Sequence, residues 1–507
     1  MTARLGTDRG VAVLRLANGW TLVLLVALLV AMQAASGRAG EFSPDLEERV
    51  RTSGPGTTIP VIVRLRNRID AHEAARDSRR NLRKLRSRRA RLIWGLKAQK
   101  ERQPYRELRR MLGAHGGTRI RELWAINALA AEVSVELLDE LSRRPEIESI
   151  RYDATLTEPR MSASMGGATG WNLDAVGAPQ LWQLGWTGQG VVVATLDSGV
   201  DADHPDLAPA YRGGTNSWFD PHGENAMPHD VSGHGTHVMG LIVGGNNSGD
   251  PIGMAPDASW IAAKIFNNAG TTTLSVIHES LQWVLDPDAD PGTDDAPDIV
   301  NNSWSLLNSA GDCDLEFQVD LEALRVAEIV VVFSAGNSGP NSSTSMSPAD
   351  NPTVHFATGA VDSSLVVDSS SARGPSACTG GYFPHVAAPG VDVATTDLTF
   401  GGLIPDSYLS VSGTSFAASH VTGAFALLKS AVPGATLDEL EAALEETASD
   451  LGATGPDDQY GAGLIDVVAA HARLSGAEGF PVPSLTGPGV AMLIILLVGA
   501  NAVIRRC

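Results

Sequence analysis

The stretch Val411–Leu428, VSGTSFAASHVTGAFALL, constrains this chain more than any other. From Phe416 to Leu428 it is mostly Ala, Phe, Val and Leu, with no Asp, Glu, Lys or Arg. That composition suits a helix buried on all sides rather than one with a wet face. Pro433-Gly434 stops it. Directly before it, Ser412-Gly413-Thr414-Ser415 allows a tight entry turn. A serine at a helix N-terminus lies where free N–H groups and the helix dipole favour developing negative charge. It is well placed to be a nucleophile and lacks only a base. Taken alone, Ser412, Thr414 and Ser415 read equally as ordinary helix caps.

Two further stretches tip that balance. Val191–Gly199, VVVATLDSG, reads as a buried strand ending on Asp197. Asp230–Gly240, DVSGHGTHVMG, places His234 in a glycine-flanked turn before another apolar helix. Asp, then His, then Ser is one of the chain orders of the hydrolytic triad. Together the three motifs resemble the subtilisin-type serine protease family, and more closely its bacillopeptidase-F-like branch, over about residues 170 to 470.

The resemblance implies a serine endopeptidase acting on protein or peptide substrates through an acyl-enzyme, with Ser415 as nucleophile, His234 as base and Asp197 orienting the imidazole. His237, the local rival of His234, is expected to be packing. Ser334-Ala-Gly-Asn-Ser-Gly339 matches the family's oxyanion loop and assigns that role to Asn337. Ser303, Trp304 and Ser305 match one substrate-binding strand, and Ser334, Ala335 and Gly336 the facing wall. Ser305 and Trp304 depart from the family's usual glycine and aliphatic residue, which leaves the preferred substrate side chain open. No cofactor is required for the chemistry. Asp206 and Asn247 align with a structural Ca²⁺ site, ordinary turn residues being the other reading. The acidic run Asp286–Asp295, interrupted by Pro, reads as a solvated insertion. A catalytically idle binding or adhesion module on the same fold is the alternative function. It has no need of Asp197, His234, Asn337 and Ser415 together.

Runs of Val and Ile at Val191–Leu196, Trp260–Ile265, Ile299–Asn302, Ile329–Phe333 and Val354–Gly359 alternate with small-residue helices. The expected class is α/β, a parallel sheet with helices on both faces. A small α+β domain precedes it, with strands at Ile59–Leu65, Ala125–Val135 and Glu146–Asp153 and a helix at Glu136–Ser142. This domain resembles the family's inhibitory propeptide. It carries a basic insertion at 76–110, read as a long solvated helix, with Leu82, Leu85, Leu92 and Leu96 at a/d-like spacing. The sharper reading is electrostatic docking onto an acidic protease.

Charge supports that division. The net charge is −20, yet residues 161–480 hold 6 Lys and Arg against 39 Asp and Glu. An acidic domain argues against nucleic acid as partner. Arg4, Arg9 and Arg15 before the apolar run Leu16–Met32 form a signal-peptide pattern. Val490–Ile504, closed by Arg505-Arg506, resembles a bacterial sorting tail. It would engage the membrane and a sorting peptidase, or serve as a permanent anchor. The organisation expected is signal peptide 1–37, propeptide 38–160, catalytic domain 161–475, linker 476–489 and tail 490–507, in an exported protein of the cell envelope or its exterior. Cys507 lies in the tail. An exported chain is therefore expected to pair Cys313 with Cys378, two separate buried thiols being the other reading.

Overall fold

The computed structural model describes residues 40–76, 87–159, 162–164, 170–306, 309–354, 356–400 and 407–476. The signal-like run, the linker, the sorting tail, Leu82 and Leu85 lie outside the described residues. Among the described residues no helix is long and apolar enough to cross a membrane. The chain divides into two compact units, one made from residues up to 70 and 95–154, the other from 71–94 and 155 onward.

The first unit is a five-stranded sheet in the order Glu41–Phe42, Ile147–Tyr152, Thr58–Leu65, Ala128–Ser134, Thr118–Leu123. Its central strand, Thr58–Leu65, pairs antiparallel on both sides. Val61 and Val63 join Leu129, Ala131 and Val133 in the core beneath the helices Val135–Ser142 and Gln103–Ala114. The latter turns Tyr105, Leu108, Met111 and Leu112 inward, at spacings of three and four.

The basic insertion is not one long helix. Helices Arg88–Lys97 and Gln103–Ala114 are separated by a 3₁₀ turn and a break at Arg102, whose extended backbone precedes Pro104 at the next helix's first turn. Leu92 and Leu96 are buried rather than solvated. Residues 71–94 also pack with the second unit. There Arg88 pairs with Glu328 at 3.0 Å and Arg89 donates to the Ala327 carbonyl and to Asp294.

The second unit is built on seven parallel strands in the order Val386–Pro389, Ala357–Val361, Val330–Ser334, Ile299–Asn302, Val192–Asp197, Ser259–Lys264, Trp218–Phe219. Almost every residue of these strands is buried, which is why they read as near-continuous apolar runs rather than alternations. The helix Thr414–Ala431 is buried along nearly its whole length. It packs on five of the strands and on the helix His234–Val243.

Two short ladders flank this frame. Thr155–Thr157 runs antiparallel to Thr271–Thr273, and Ser162–Ser164 runs antiparallel to Tyr408–Ser412. The division between the two compact units falls at 154/155. Cys313 and Cys378 are joined in a disulfide with Cα atoms 4.8 Å apart, closing a loop of 65 residues. A cross-link of that span removes roughly 2–4 kcal/mol of freedom from the unfolded chain.

Candidate active site

Asp197 is the last residue of the strand Val192–Asp197 and His234 the first of its helix. They meet because the helix can approach closely: a methyl on Gly235 would stand 2.1 Å from the Gly199 carbonyl oxygen. His234 Nδ1 lies 2.7 Å from Asp197 Oδ1, and both side chains are buried. The turn into the helix is held by buried Asp230, which accepts from the N–H groups of Gly233 and Thr236 and from the Thr236 hydroxyl. Burial would raise the Asp230 carboxyl, but these donors and Lys264 hold it below its usual range.

For His234 the balance runs the other way. Burial disfavours the imidazolium, but Asp197 at hydrogen-bond distance, then Asp230 and Glu158, lift the ring above its ordinary value. Its Nε2 is buried and makes no hydrogen bond. The ring therefore offers one unoccupied nitrogen, the one a proton-accepting base needs.

Ser415 arrives from the other side. It is the second residue of its helix, after Gly413, whose φ of 148° admits only glycine readily. The neighbouring Phe416 ring lies 5.8 Å from the His234 ring. The Ser415 carbonyl accepts from Ser303 Oγ at 3.1 Å, and Asn301 Nδ2 donates to that same hydroxyl. Asn337 Oδ1 accepts from Thr414 N at 3.1 Å and from Thr414 Oγ1 at 2.9 Å. With its oxygen so engaged, the Asn337 amide nitrogen is left beside Gly413.

The chain carries the features of one family. Residues 188–463 match the subtilase family. Over 362 residues the chain is 34% identical to subtilisin E of Bacillus subtilis, covering 71% of this chain and 84% of that protein. It is 36% identical to a subtilisin of Bacillus pumilus, covering 59% of this chain and 98% of that one. It is also 33% identical to bacillopeptidase F of Bacillus subtilis, covering 71% of this chain but only 27% of that protein.

The chain belongs to the subtilase family of serine endopeptidases.

The remaining sequence expectations fare unevenly in this subtilase. His237 is engaged away from the candidate triad, its Nε2 2.9 Å from Asp397. His420, in the Ser415 helix, is bonded to the Phe416 carbonyl and near Asn172, and burial pushes it down to about 4, so it is neutral. Ser303, Ser305 and Ser334–Gly336 lie at the C-terminal ends of their strands as expected. Trp304 differs: its indole is buried against Phe317 and Phe333, so it backs the strand rather than lining the cleft.

Asp206 and Asn247 do come together. However, Asn247 donates both its N–H and its amide to Asp206 Oδ1, and Tyr408 donates its hydroxyl to Oδ2. A hard cation needs converging oxygens. Here donors occupy both carboxylate oxygens, and the arrangement does not fit Ca²⁺. Asp286, Asp288 and Asp295 also converge, and Thr293 and Asn216 donate to them from within the same cluster.

Residues that local pattern did not single out include Thr271–Thr273, Ser232 and Glu158. The Thr triplet after Gly270 is the available signal, a β-branched run suited to an edge strand.

A buried cluster behind the cleft was also missed. His278 stands between Asp320 Oδ2, 2.8 Å from Nδ1, and Glu316 Oε1, 2.9 Å from Nε2, and all three are buried. It ties the helix following Thr271–Thr273 to Phe317, which packs on Trp304. Burial opposes its charge, but Asp320 and Glu316 outweigh that and push His278 up to about 9.

The folded value lies above the ordinary 6.5. The contribution to stability is therefore complete below about pH 6.5 and lost as pH rises through about 9. The loss is on the order of 3 kcal/mol. The thermal midpoint of an inactive Ser415→Ala protein is expected to fall between pH 7 and 10, and to fall less steeply in its Glu316→Gln derivative. A midpoint that stays level across this window contradicts the charged clamp.

Proposed function

We propose that this subtilase is an exported endopeptidase using Asp197, His234 and Ser415 as its triad, and that it is made as a zymogen whose first substrate is its own junction. The observation that carries the reading is the set of donors and acceptors around one unoccupied nitrogen, His234 Nε2. In the attack, Ser415 Oγ bonds to the substrate carbonyl carbon while His234 Nε2 takes the hydroxyl proton. Asp197 stabilises the imidazolium. The oxyanion is held by the Asn337 amide and the Ser415 N–H. The C–N bond then breaks as the imidazolium returns its proton to the leaving amine. Water enters by the same cycle and frees the acyl group, so no cofactor is consumed.

The self-processing reading is supported by the two short ladders. Residues 155–157 lie on Thr271–Thr273, and residues 162–164 lie on Tyr408–Ser412, the strand that leads directly into Ser415. Extended backbone added to an exposed edge is how a protease holds its substrate. The cut is assigned between 159 and 162. Residues 38–160 then act as the inhibitory propeptide, with Arg88 and Arg89 as basic docking groups on the acidic partner. The Cys313–Cys378 disulfide and the Arg-flanked apolar run at 16–32 support export. Envelope attachment through 490–507 is proposed from sequence alone.

A fluorophosphonate probe tests the chemistry. Purified protein is expected to be labelled on Ser415, identified by peptide mass spectrometry. An unlabelled, folded protein would favour the idle binding module.

A further inference from the structure

Leu156 is buried opposite Thr272, and the ladder continues as Glu158 donates its N–H to the Gly270 carbonyl at 3.0 Å. The Glu158 side chain then folds over Gly270. A methyl built on that glycine would stand 3.1 Å from both Glu158 Cδ and Oε1. From this seat the carboxyl interacts electrostatically with Asp197 at the end of its strand, His234 at the start of its helix and Asp230 in the turn before it. Lys264, at the end of the adjoining strand, is a cation that also feels this carboxylate; its ammonium donates to the Ser198 carbonyl.

The candidate base of the uncut chain thus has Asp197, Asp230 and Glu158 around it, and the last belongs to the segment being cut. Only neutral imidazole can accept the Ser415 proton. Each negative charge within reach favours the imidazolium instead.

We propose that Glu158 sets the pH at which the chain cuts its own junction: its side chain, seated on Gly270 one residue beyond the ladder of Thr155–Thr157 on Thr271–Thr273, brings a carboxylate to the candidate active site and restrains self-cleavage until the pH rises. This rests on the reading above that the junction is the first substrate. It also assigns a preference to the mature cleft. A side chain at the position of Glu158 is received among carboxylates, so an amide is accepted more readily there than an acid. Once residues 155–158 leave, the restraint leaves with them.

Burial raises the Glu158 carboxyl, the Ser232 hydroxyl opposes this, and Asp197 raises it further. Glu158 and His234 act on each other electrostatically, so the apparent value that governs the rate reports on both.

The test compares the wild-type chain with Glu158→Gln, which keeps the side chain's size while removing the charge. First-order rates of appearance of the new N-terminus are measured from pH 5 to 9. The apparent pKa for self-cleavage is expected to drop by about one unit, so that the variant cuts about 10-fold faster on the acidic limb. Peptides spanning 154–164 with Glu or Gln at 158, offered to mature wild-type enzyme, should show the same preference for Gln and the same shift. This second measurement does not depend on the variant folding. Superimposable pH profiles for Glu and Gln, in the chain or in the peptides, would overturn the proposal while leaving the junction reading intact. No wild-type cut between 159 and 162 would overturn the junction reading, and this proposal with it.

Discussion

Ser415→Ala is expected to abolish peptide hydrolysis and to leave the chain at full length between residues 40 and 476. Removing the nucleophile of a triad lowers turnover by about a million-fold, because nucleophile and base act as one unit. The same hydroxyl is assigned both to external substrates and to the junction at 159–162, so both activities should vanish together. Among the described residues the Ser415 hydroxyl makes no hydrogen bond, whereas its carbonyl accepts from the Ser303 and Ser419 hydroxyls. Alanine keeps that carbonyl, and the fold should survive the change. The measurement is intact mass together with hydrolysis of a peptide substrate. Folded Ser415→Ala protein that is nevertheless trimmed in the junction, in a host lacking other proteases, would show that the cut is not made by this serine.

Asn337→Ala is expected to lower kcat by about 100- to 1,000-fold while changing KM little. The oxyanion exists only after attack, so a donor aimed at it acts on the transition state and not on bound substrate. Asn337 also accepts from Thr414 N and Oγ1, next to the nucleophile, so loss of positioning must be separated from loss of the donor. Thr414→Val serves as that control. It removes the hydroxyl contact but leaves the Asn337 amide, and should cost far less in kcat. Equal losses in the two variants, or a loss appearing chiefly in KM, would assign Asn337 a structural role.

Much of the candidate site could be read before any coordinates. Asp197 closes an apolar strand, His234 stands between glycines before an apolar helix, and Ser415 opens a helix without charges. Each is a local signal, because a strand's end and a helix's first turn are written in neighbouring residues. The parallel sheet was legible for the same reason, although Trp218–Phe219 and Val386–Pro389 were too short to announce themselves as strands.

The basic insertion misled for a physical cause. Its charges suggested a solvated helix, but Arg102 and Pro104 break it, and long basic side chains can cover apolar surface while Leu92 and Leu96 are buried.

What the sequence by itself determined is the set of candidate reacting groups and the layers that carry them. Only the tertiary structure decided what surrounds those groups. Glu158 acts electrostatically on His234, 76 residues away in sequence, because one three-residue ladder sets Thr155–Thr157 on Thr271–Thr273 and seats Glu158 on Gly270. His278 finds Glu316 and Asp320 because two helices pack side by side, 38 and 42 residues apart in sequence. Trp304 turns inward because Phe317 and Phe333 close around it. Residue type and spacing report on the nearest turn or strand of chain. Which distant carboxylate shares a buried volume with an imidazole depends on how the elements are brought together, and that sharing is what moves a proton.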